Sequence, residues 1–196
     1  MLTVHFFGAL ATFISFVSFA FYAKSIIQRK TKPHFYSWFN WFLLTTIGAV
    51  TQDHVGGGAS AWVLYLSAFN CFLITIASLC LGEKSITKGD TITFLSALVI
   101  IPVWLISKNP LLAITLLITI DLLCFYPTVR KTYHQPYSED LTAYMFAGIR
   151  YFIALFAIEK ITLSNLAYPL FLMGIEWGFA AYLIYLRMHK SNRVAL

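Results

Sequence analysis

Long apolar runs separated by short polar segments make up most of the chain. Seven runs are predicted to be helices, at 4–27, 35–52, 60–81, 91–107, 110–129, 141–158 and 166–188. Their lengths are close to the roughly 20 residues that a helix needs to cross a bilayer, and their apolar positions are continuous rather than alternating. Because a bilayer admits only helices and closed barrels, the pattern predicts an all-α membrane protein with seven transmembrane helices.

The composition indicates the same class of protein. The chain has 196 residues, of which 59% are hydrophobic and 11% are charged, with a mean hydropathy of +0.75. A water-soluble domain carries about a quarter charged residues, so we expect lipid to solvate most of this surface. The net charge of +6 does not indicate nucleic-acid binding, because the basic residues fall in short loops. All three cysteines fall inside apolar runs, which argues against a disulfide framework.

Basic residues are divided unevenly between the two sides of the predicted bundle. Eleven lie on one side and two on the other, while Arg150 lies within the sixth span. The larger group is Lys24, Arg29, Lys30, Lys32, Lys84, Lys88, Arg130, Lys131, Arg187, Lys190 and Arg193, and the smaller group is Lys108 and Lys160. The positive-inside rule then predicts a multi-pass inner-membrane protein with its N-terminus outside and its C-terminus in the cytoplasm.

An internal repeat relates the two halves of the chain. A shift of 106 residues places 61–84 on 167–190, and Asn70 then falls on Glu176. A shift of four spans keeps both copies in the same orientation. We therefore expect two parallel three-helix bundles, at 1–90 and 110–196, joined by a linker transmembrane helix at 91–109.

Four polar residues fall near the middle of predicted spans, where such groups are costly. They are Asn70, Asp121, Arg150 and Glu176. We predict that Arg150 pairs with Glu176 or Asp121, and that the other carboxylate binds solute or a proton. An ion pair that only fixes helix packing is the alternative. Asn70, taken alone, is more typical of a helix–helix contact than of a ligand contact.

Trp177 and three prolines are further candidates for the site. Trp177 offers a stacking wall for a sugar or heterocycle, although neighbours on a helix point about 100° apart and it need not face the cavity of Glu176. Pro33, Pro127 and Pro136 lie near predicted cytoplasmic ends of spans and are candidate hinges of a gate. Simple punctuation between helices is the alternative for these prolines.

The pattern resembles the SWEET and PQ-loop transporter superfamily over nearly the whole chain. The sequence carries FYPT (125–128) with its basic cluster, a weaker copy FYAK (21–24), and the repeat-related residues Asn70 and Glu176. The resemblance implies the two parallel bundles, with a solute-binding asparagine on the third and the seventh helix. It also implies that an acid on the fifth helix, here Asp121, takes part in proton coupling.

The chain departs from that family at three positions. Thr128 stands where PQ-loop proteins have glutamine, and Ala23 stands where the first half has proline. Glu176 stands where the sugar-binding asparagine is expected, which argues against plain sugar binding.

Together these features predict an alternating-access carrier for a small polar solute such as a sugar, an amino acid or a nucleoside-like metabolite. Proton coupling would use Asp121 or Glu176. The expected partners are the solute and the lipid bilayer, with no nucleic acid, and a homo-oligomer is left open. Neither a nucleophile–base set nor metal-ligand spacing is present in the sequence, so no enzyme activity, metal or cofactor is predicted. The alternative is a non-transporting membrane receptor or assembly subunit with the same fold.

Overall fold

Seven α-helices account for most of the residues that the computed structural model describes, 2–107 and 109–194. They are α1 (Leu2–Ile27), α2 (Phe35–His54), α3 (Ala61–Leu81), α4 (Lys88–Ser107), α5 (Pro110–His134), α6 (Leu141–Leu155) and α7 (Leu163–Val194), with a short 3-10 helix at Gly58–Ser60. No strand occurs within those ranges. The all-helical class is confirmed, and each predicted run falls on one of these helices apart from short ends. Lys108 and the side chains of Lys190 and Arg193, used above for orientation, lie outside the described residues.

Three of the described helical segments are long and apolar enough to cross a membrane. They are Leu2–Ile27, Gly58–Leu81 and Leu163–His189, and Leu141–Leu155 is a shorter apolar helix. Three such segments indicate a membrane protein.

Many large apolar side chains are exposed on the surface of the bundle, while polar ones are buried beside its apolar core. On α1, Phe13 is 63% exposed whereas Ser15 is fully buried. On α3, Ile76 is 50% exposed whereas Ser67 is 1% exposed. Exposed apolar side chains in such number are typical of a surface that contacts lipid.

Side-chain caps fix the start of two helices. Asn109 Oδ1 accepts hydrogen bonds from the backbone N–H groups of Leu111 and Leu112, and Asp140 Oδ1 accepts one from Ala143 N. These caps satisfy backbone donors that have no partner in the first turn of a helix. At its other end α5 continues to His134, so Arg130 and Lys131 belong to the helix rather than to the predicted loop.

Six helices form a closed ring in the order α1, α3, α2, α5, α7, α6 and back to α1. The fourth helix lies outside this ring, where it packs on α5 and α2. Among these six helices, the set of contacts is unchanged when α1, α2 and α3 are exchanged with α5, α6 and α7 respectively. The more extensive contacts between these triplets are α1 with α6 and α2 with α5, and weaker ones join α2 with α7 and α3 with α6.

Backbone hydrogen bonds identify the two ends of the bundle. Lys32 N donates to Ser138 O, and Glu83 N donates to Pro33 O, so segments 28–34, 82–87 and 135–140 lie together. We call this the basic end. Glu159 N donates to Gly57 O, which brings segments 55–60 and 156–162 together at the opposite end.

A glycine on α6 sets how closely α6 and α7 approach. A Cβ atom added at Gly148 would lie 2.0 Å from the indole ring of Trp177, and the Trp177 indole nitrogen donates to Met145 O at 3.3 Å. Gly178, on α7, has no atom within 4 Å of such a Cβ.

We therefore expect opposite effects from two glycine-to-alanine changes. Gly148→Ala should lower the unfolding free energy by about 1–3 kcal/mol, because the Trp177 ring must move away from α6. Gly178→Ala should leave it unchanged or raise it by up to about 1 kcal/mol, because alanine favours the helix and meets open space. Thermal melts of the two purified variants test this, and equal melting temperatures would contradict it.

Candidate functional site

Two adjoining cavities lie in the middle of the helix ring. They share five lining residues: Trp38, Cys71, Tyr144, Arg150 and Glu176. Asn70 lines the first cavity and Asp121 lines the second. The space open to the centre of a water molecule is about 40 Å³ in the first cavity and about 50 Å³ in the second. One water needs roughly 10–15 Å³ of such space, so each cavity has room for a few water molecules.

An ion pair between α6 and α7 lies at the boundary of the two cavities. Arg150 Nη2 is 3.6 Å from Glu176 Oε1, and the two side chains are 11% and 13% exposed. Arg150 Nη1 also donates to Ser15 Oγ on α1 at 3.0 Å. A charge taken out of water is stable only when it is paired and hydrogen-bonded, and the guanidinium meets both conditions.

Hydroxyl groups extend this network to a fourth helix. Tyr151 Oη lies 3.3 Å from Arg150 Nη2 as an acceptor and donates to Ser67 Oγ at 3.4 Å. Ser67 Oγ in turn lies 3.5 Å from Ser15 Oγ. The network therefore connects α1, α3, α6 and α7 at one depth.

Asp121 on α5 is the second carboxylate of the site, and it has no ion pair among the described residues. Its side chain is buried, and Oδ2 accepts a hydrogen bond from Tyr168 Oη on α7 at 3.1 Å. Gly48 on α2 leaves room for the Tyr168 ring, because a Cβ there would lie 2.4 Å from the ring edge. The sequence left Arg150 with two possible ion-pair partners, Glu176 and Asp121. In the structure, Arg150 pairs with Glu176.

Six buried polar atoms at the cavity walls have no hydrogen-bond partner among the described residues. Four are donors, Trp38 Nε1, Trp41 Nε1, Asn70 Nδ2 and Arg150 Nε, and two are acceptors, Asp121 Oδ1 and Glu176 Oε2. Buried polar groups are normally hydrogen-bonded, so six such atoms around one space require water or a polar ligand there. The cavities thus combine apolar walls with both kinds of hydrogen-bonding group.

Trp177 lies apart from this site. Its side chain is 39% exposed, packs against Gly148 and Phe152 on α6, and lines neither cavity. The physical reason is the rotation of about 100° between successive helical residues, which turns Trp177 away from the direction of Glu176. The stacking wall expected from Trp177 is therefore not part of these cavities.

The three predicted hinge prolines lie at or near the basic end. Pro33 O accepts from Glu83 N at 2.9 Å, and Pro136 O accepts from Arg187 Nε at 3.0 Å. Pro127 lies inside α5. Three residues before it, the Cys124 carbonyl accepts a hydrogen bond from Ser37 Oγ at 2.9 Å. The carbonyl groups of Pro33, Pro136 and Cys124 thus link segments of the chain that are far apart in sequence.

A second group of buried charges lies at the basic end, on residues outside the spans predicted from the sequence. Asp90 Oδ2 lies 3.0 Å from Arg130 Nη2 and 3.4 Å from His34 Nε2. Lys131 forms a short ion pair with Glu139. The sequence signal was present, since basic residues at 130–131 are followed by acids at 139–140. Nothing in that spacing predicts burial.

The surroundings of His34 predict a pH-dependent stability. It lies in the segment between α1 and α2, and burial lowers its pKa below the usual 6.5. The attraction of Asp90 opposes this shift in pKa, whereas Lys131 and Arg130 add to it. The unfolded chain therefore binds a proton at a pH where folded His34 stays neutral, so folding is favoured above pH 6.5 and loses stability as the pH falls through that value.

We expect the melting temperature to fall between about pH 7.5 and about pH 5.5, and His34→Gln should reduce that fall. His134→Gln, an exposed histidine at the same end, should leave the pH dependence as it is in the wild type. The same pH dependence in His34→Gln and in the wild type would contradict the assignment.

Comparison with known proteins identifies no family or relative. No protein-family model matches the chain, and neither a curated protein nor a solved structure matches it. The geometry of the two cavities is therefore the basis on which a function is proposed.

Proposed function

We propose that the chain is an alternating-access carrier for a small polar solute. All seven helices would span the bilayer, with the N-terminus outside and the C-terminus in the cytoplasm. The halves α1–α3 and α5–α7 would be parallel repeats, and α4 would be the linker between them. The unchanged contact pattern on exchange of the halves supports this arrangement.

Two hydrogen bonds between the halves support the same repeat. Ser18 Oγ on α1 donates to Ala143 O on α6 at 2.8 Å, and Ser37 Oγ on α2 donates to Cys124 O on α5 at 2.9 Å. The shift of 106 residues carries residue 37 onto 143, whereas FYAK (21–24) falls on FYPT (125–128) at a shift of 104. These two hydrogen bonds join α1 to α6 and α2 to α5, the two pairs of helices that exchange under the proposed repeat.

The observation that carries the proposal is the set of polar side chains at the cavity walls. Asn70, Asp121, Arg150 and Glu176 come from four helices and both halves, and each leaves a buried polar atom available. A solute with both donors and acceptors, such as a sugar, an amino acid or a nucleoside-like metabolite, would satisfy these atoms. Because the cavities hold a few water molecules, such a solute enters only when the two halves move apart.

Proton coupling is part of the proposal and is assigned to Asp121. Glu176 is already neutralised by Arg150, whereas Asp121 has no cation partner among the described residues. A buried carboxylate without a counter-ion is a suitable proton carrier, since protonation removes an uncompensated charge from the interior.

The alternative is a non-transporting receptor or assembly subunit, and the Arg150–Glu176 pair is the observation that favours it. Glu176→Gln separates the two functions. In a carrier the variant should fold and lose uptake. In a protein that uses the pair only for packing it should lose stability, by about 3–5 kcal/mol for an uncompensated buried charge.

Ligand-induced stabilisation provides the first test of the carrier. The purified protein should melt at higher temperature with one class among sugars, amino acids, nucleosides and vitamins. A ligand at a hundred times its dissociation constant stabilises the folded state by about 2.7 kcal/mol. Asn70→Ala should abolish the shift in melting temperature, whereas Trp177→Phe, outside the cavities, should retain it. A shift that survives Asn70→Ala would place the binding site elsewhere.

Uptake into proteoliposomes provides the second test. With the solute so identified, an imposed pH gradient should change the initial rate of uptake by the wild type. Asp121→Asn keeps the shape of the side chain and removes the titratable group. It should still fold and bind solute, with an uptake rate that no longer responds to the gradient. A wild-type rate that is indifferent to the gradient would remove proton coupling from the proposal.

A further inference from the structure

Six aromatic side chains form a closed ring in the interior. The ring centroids of consecutive members lie 4.6–6.2 Å apart. We call this ring the aromatic collar, and its members in order are Tyr22, Trp38, Trp41, Phe125, Phe179 and Tyr144. All six side chains are buried, and they come from α1, α2, α5, α6 and α7.

The collar separates the cavities from the basic end. On α5, α6 and α7 its members are displaced toward the basic end from Asp121, Arg150 and Glu176, by four, six and three residues respectively. At about 1.5 Å per residue, these displacements are roughly 6, 9 and 4.5 Å. Five of the six members line one or both cavities, so the collar forms the wall of the cavities on that side.

Glu139 holds two members of the collar together from the basic end. Its side chain is 2% exposed, and Oε2 accepts hydrogen bonds from Tyr22 Oη at 2.7 Å and from Tyr144 Oη at 3.3 Å. Tyr22 lies on α1 and Tyr144 on α6, the two helices of one contact between the halves. One carboxylate oxygen thus joins the halves directly beside the collar.

Further contacts fix Glu139 in this position. Its other carboxylate oxygen pairs with Lys131 Nζ on α5, which also donates to Lys32 O in the segment between α1 and α2. Arg187 Nη2 on α7 donates to the Glu139 backbone oxygen at 2.7 Å. Breaking such a buried, hydrogen-bonded ion pair on one side is costly, which makes Glu139 a point where several helices are held at once.

We propose that the aromatic collar is the barrier between the solute site and the basic end, and that Glu139 is the positioning residue that keeps this barrier closed. The inference rests on the proposed carrier function and assigns one of its gates. It gives this role to Glu139, Tyr22 and Tyr144 rather than to the prolines that the sequence offers as candidate hinges.

The chemistry of the contacts suits a barrier that opens and closes. When α1 and α6 move apart, the two tyrosine hydroxyls and the carboxylate of Glu139 exchange their mutual hydrogen bonds for hydrogen bonds to water. The net free-energy change of such an exchange is small compared with that of leaving the groups without partners. The closed state is favoured because the collar buries aromatic surface.

Cys71 provides a native probe of the barrier. It is a free, buried cysteine that lines both cavities, whereas Cys124 is buried and lines neither. A charged, membrane-impermeant methanethiosulfonate reagent is added to sealed vesicles from one side at a time. Peptide mass spectrometry measures the rate of modification at Cys71 separately from that at exposed Cys80. A Ser85→Cys marker in segment 82–87 reports which face carries the basic end.

Glu139→Gln should raise the rate of Cys71 modification from the basic end by about tenfold, as expected for the loss of one charge-assisted hydrogen bond. Modification from the opposite end should keep its wild-type rate. A general loosening of the fold, in contrast, would raise both rates. Glu83→Gln is the matched control, since it removes the same charge from the same end and has no contact with the collar. It should behave as the wild type.

The double variant Tyr22→Phe/Tyr144→Phe tests the same barrier with the Lys131–Glu139 ion pair intact, and it decides the question if Glu139→Gln fails to fold. It should also raise modification from the basic end. Wild-type rates in folded Glu139→Gln or in the double variant, or an increase from the opposite end alone, would overturn the proposal.

The measurement needs no solute. If Cys71 modification increases in the variants but no solute is transported, the carrier function is refuted and the barrier stands. If solute is transported but modification is unchanged, the barrier is refuted and the carrier function stands.

Discussion

The Arg150–Glu176 ion pair is the interaction on which the interior of the bundle depends. The guanidinium and the carboxylate each lower the cost of burying the other in the middle of an apolar bundle, and this pair links α6 to α7. The hydrogen bond from Arg150 to Ser15 brings in α1, and Tyr151 carries the connection to Ser67 on α3. Asn70 and Asp121, each with a buried polar atom that has no partner among the described residues, line the same cavities as this pair.

The interior is organised in layers along the bundle. The cavities with their polar walls form one layer, the aromatic collar forms the next, and the ion pairs of Glu139 and Asp90 form the last at the basic end. Each charged layer ties together helices from both halves, whereas the aromatic layer between them has no charge. The proposed carrier would use this order of layers, since an aromatic layer without charge excludes water and polar solute where no group replaces their hydration.

Local sequence patterns were sufficient for the helices and for the residues at mid-depth. The seven apolar runs all appear as helices, and Asn70, Asp121, Arg150 and Glu176 line the cavities because polar groups in such helices have no other place to go. The same reasoning missed Glu139 and His34, which stand in short polar segments that normally face water. Their burial comes from Tyr22, Tyr144 and Asp90, which approach from other helices.

The sequence by itself determined that the chain is helical, where each helix lies, and which deep polar residues need partners. Only the tertiary structure decided that Arg150 pairs with Glu176 rather than with Asp121, that Trp177 faces away from the cavities, and that six aromatic rings close into a collar. The physical reason is that helix formation and hydropathy are local properties. A helix with apolar residues on all its sides gives no sequence signal for its rotation about its own axis, and packing against neighbouring helices alone sets that rotation.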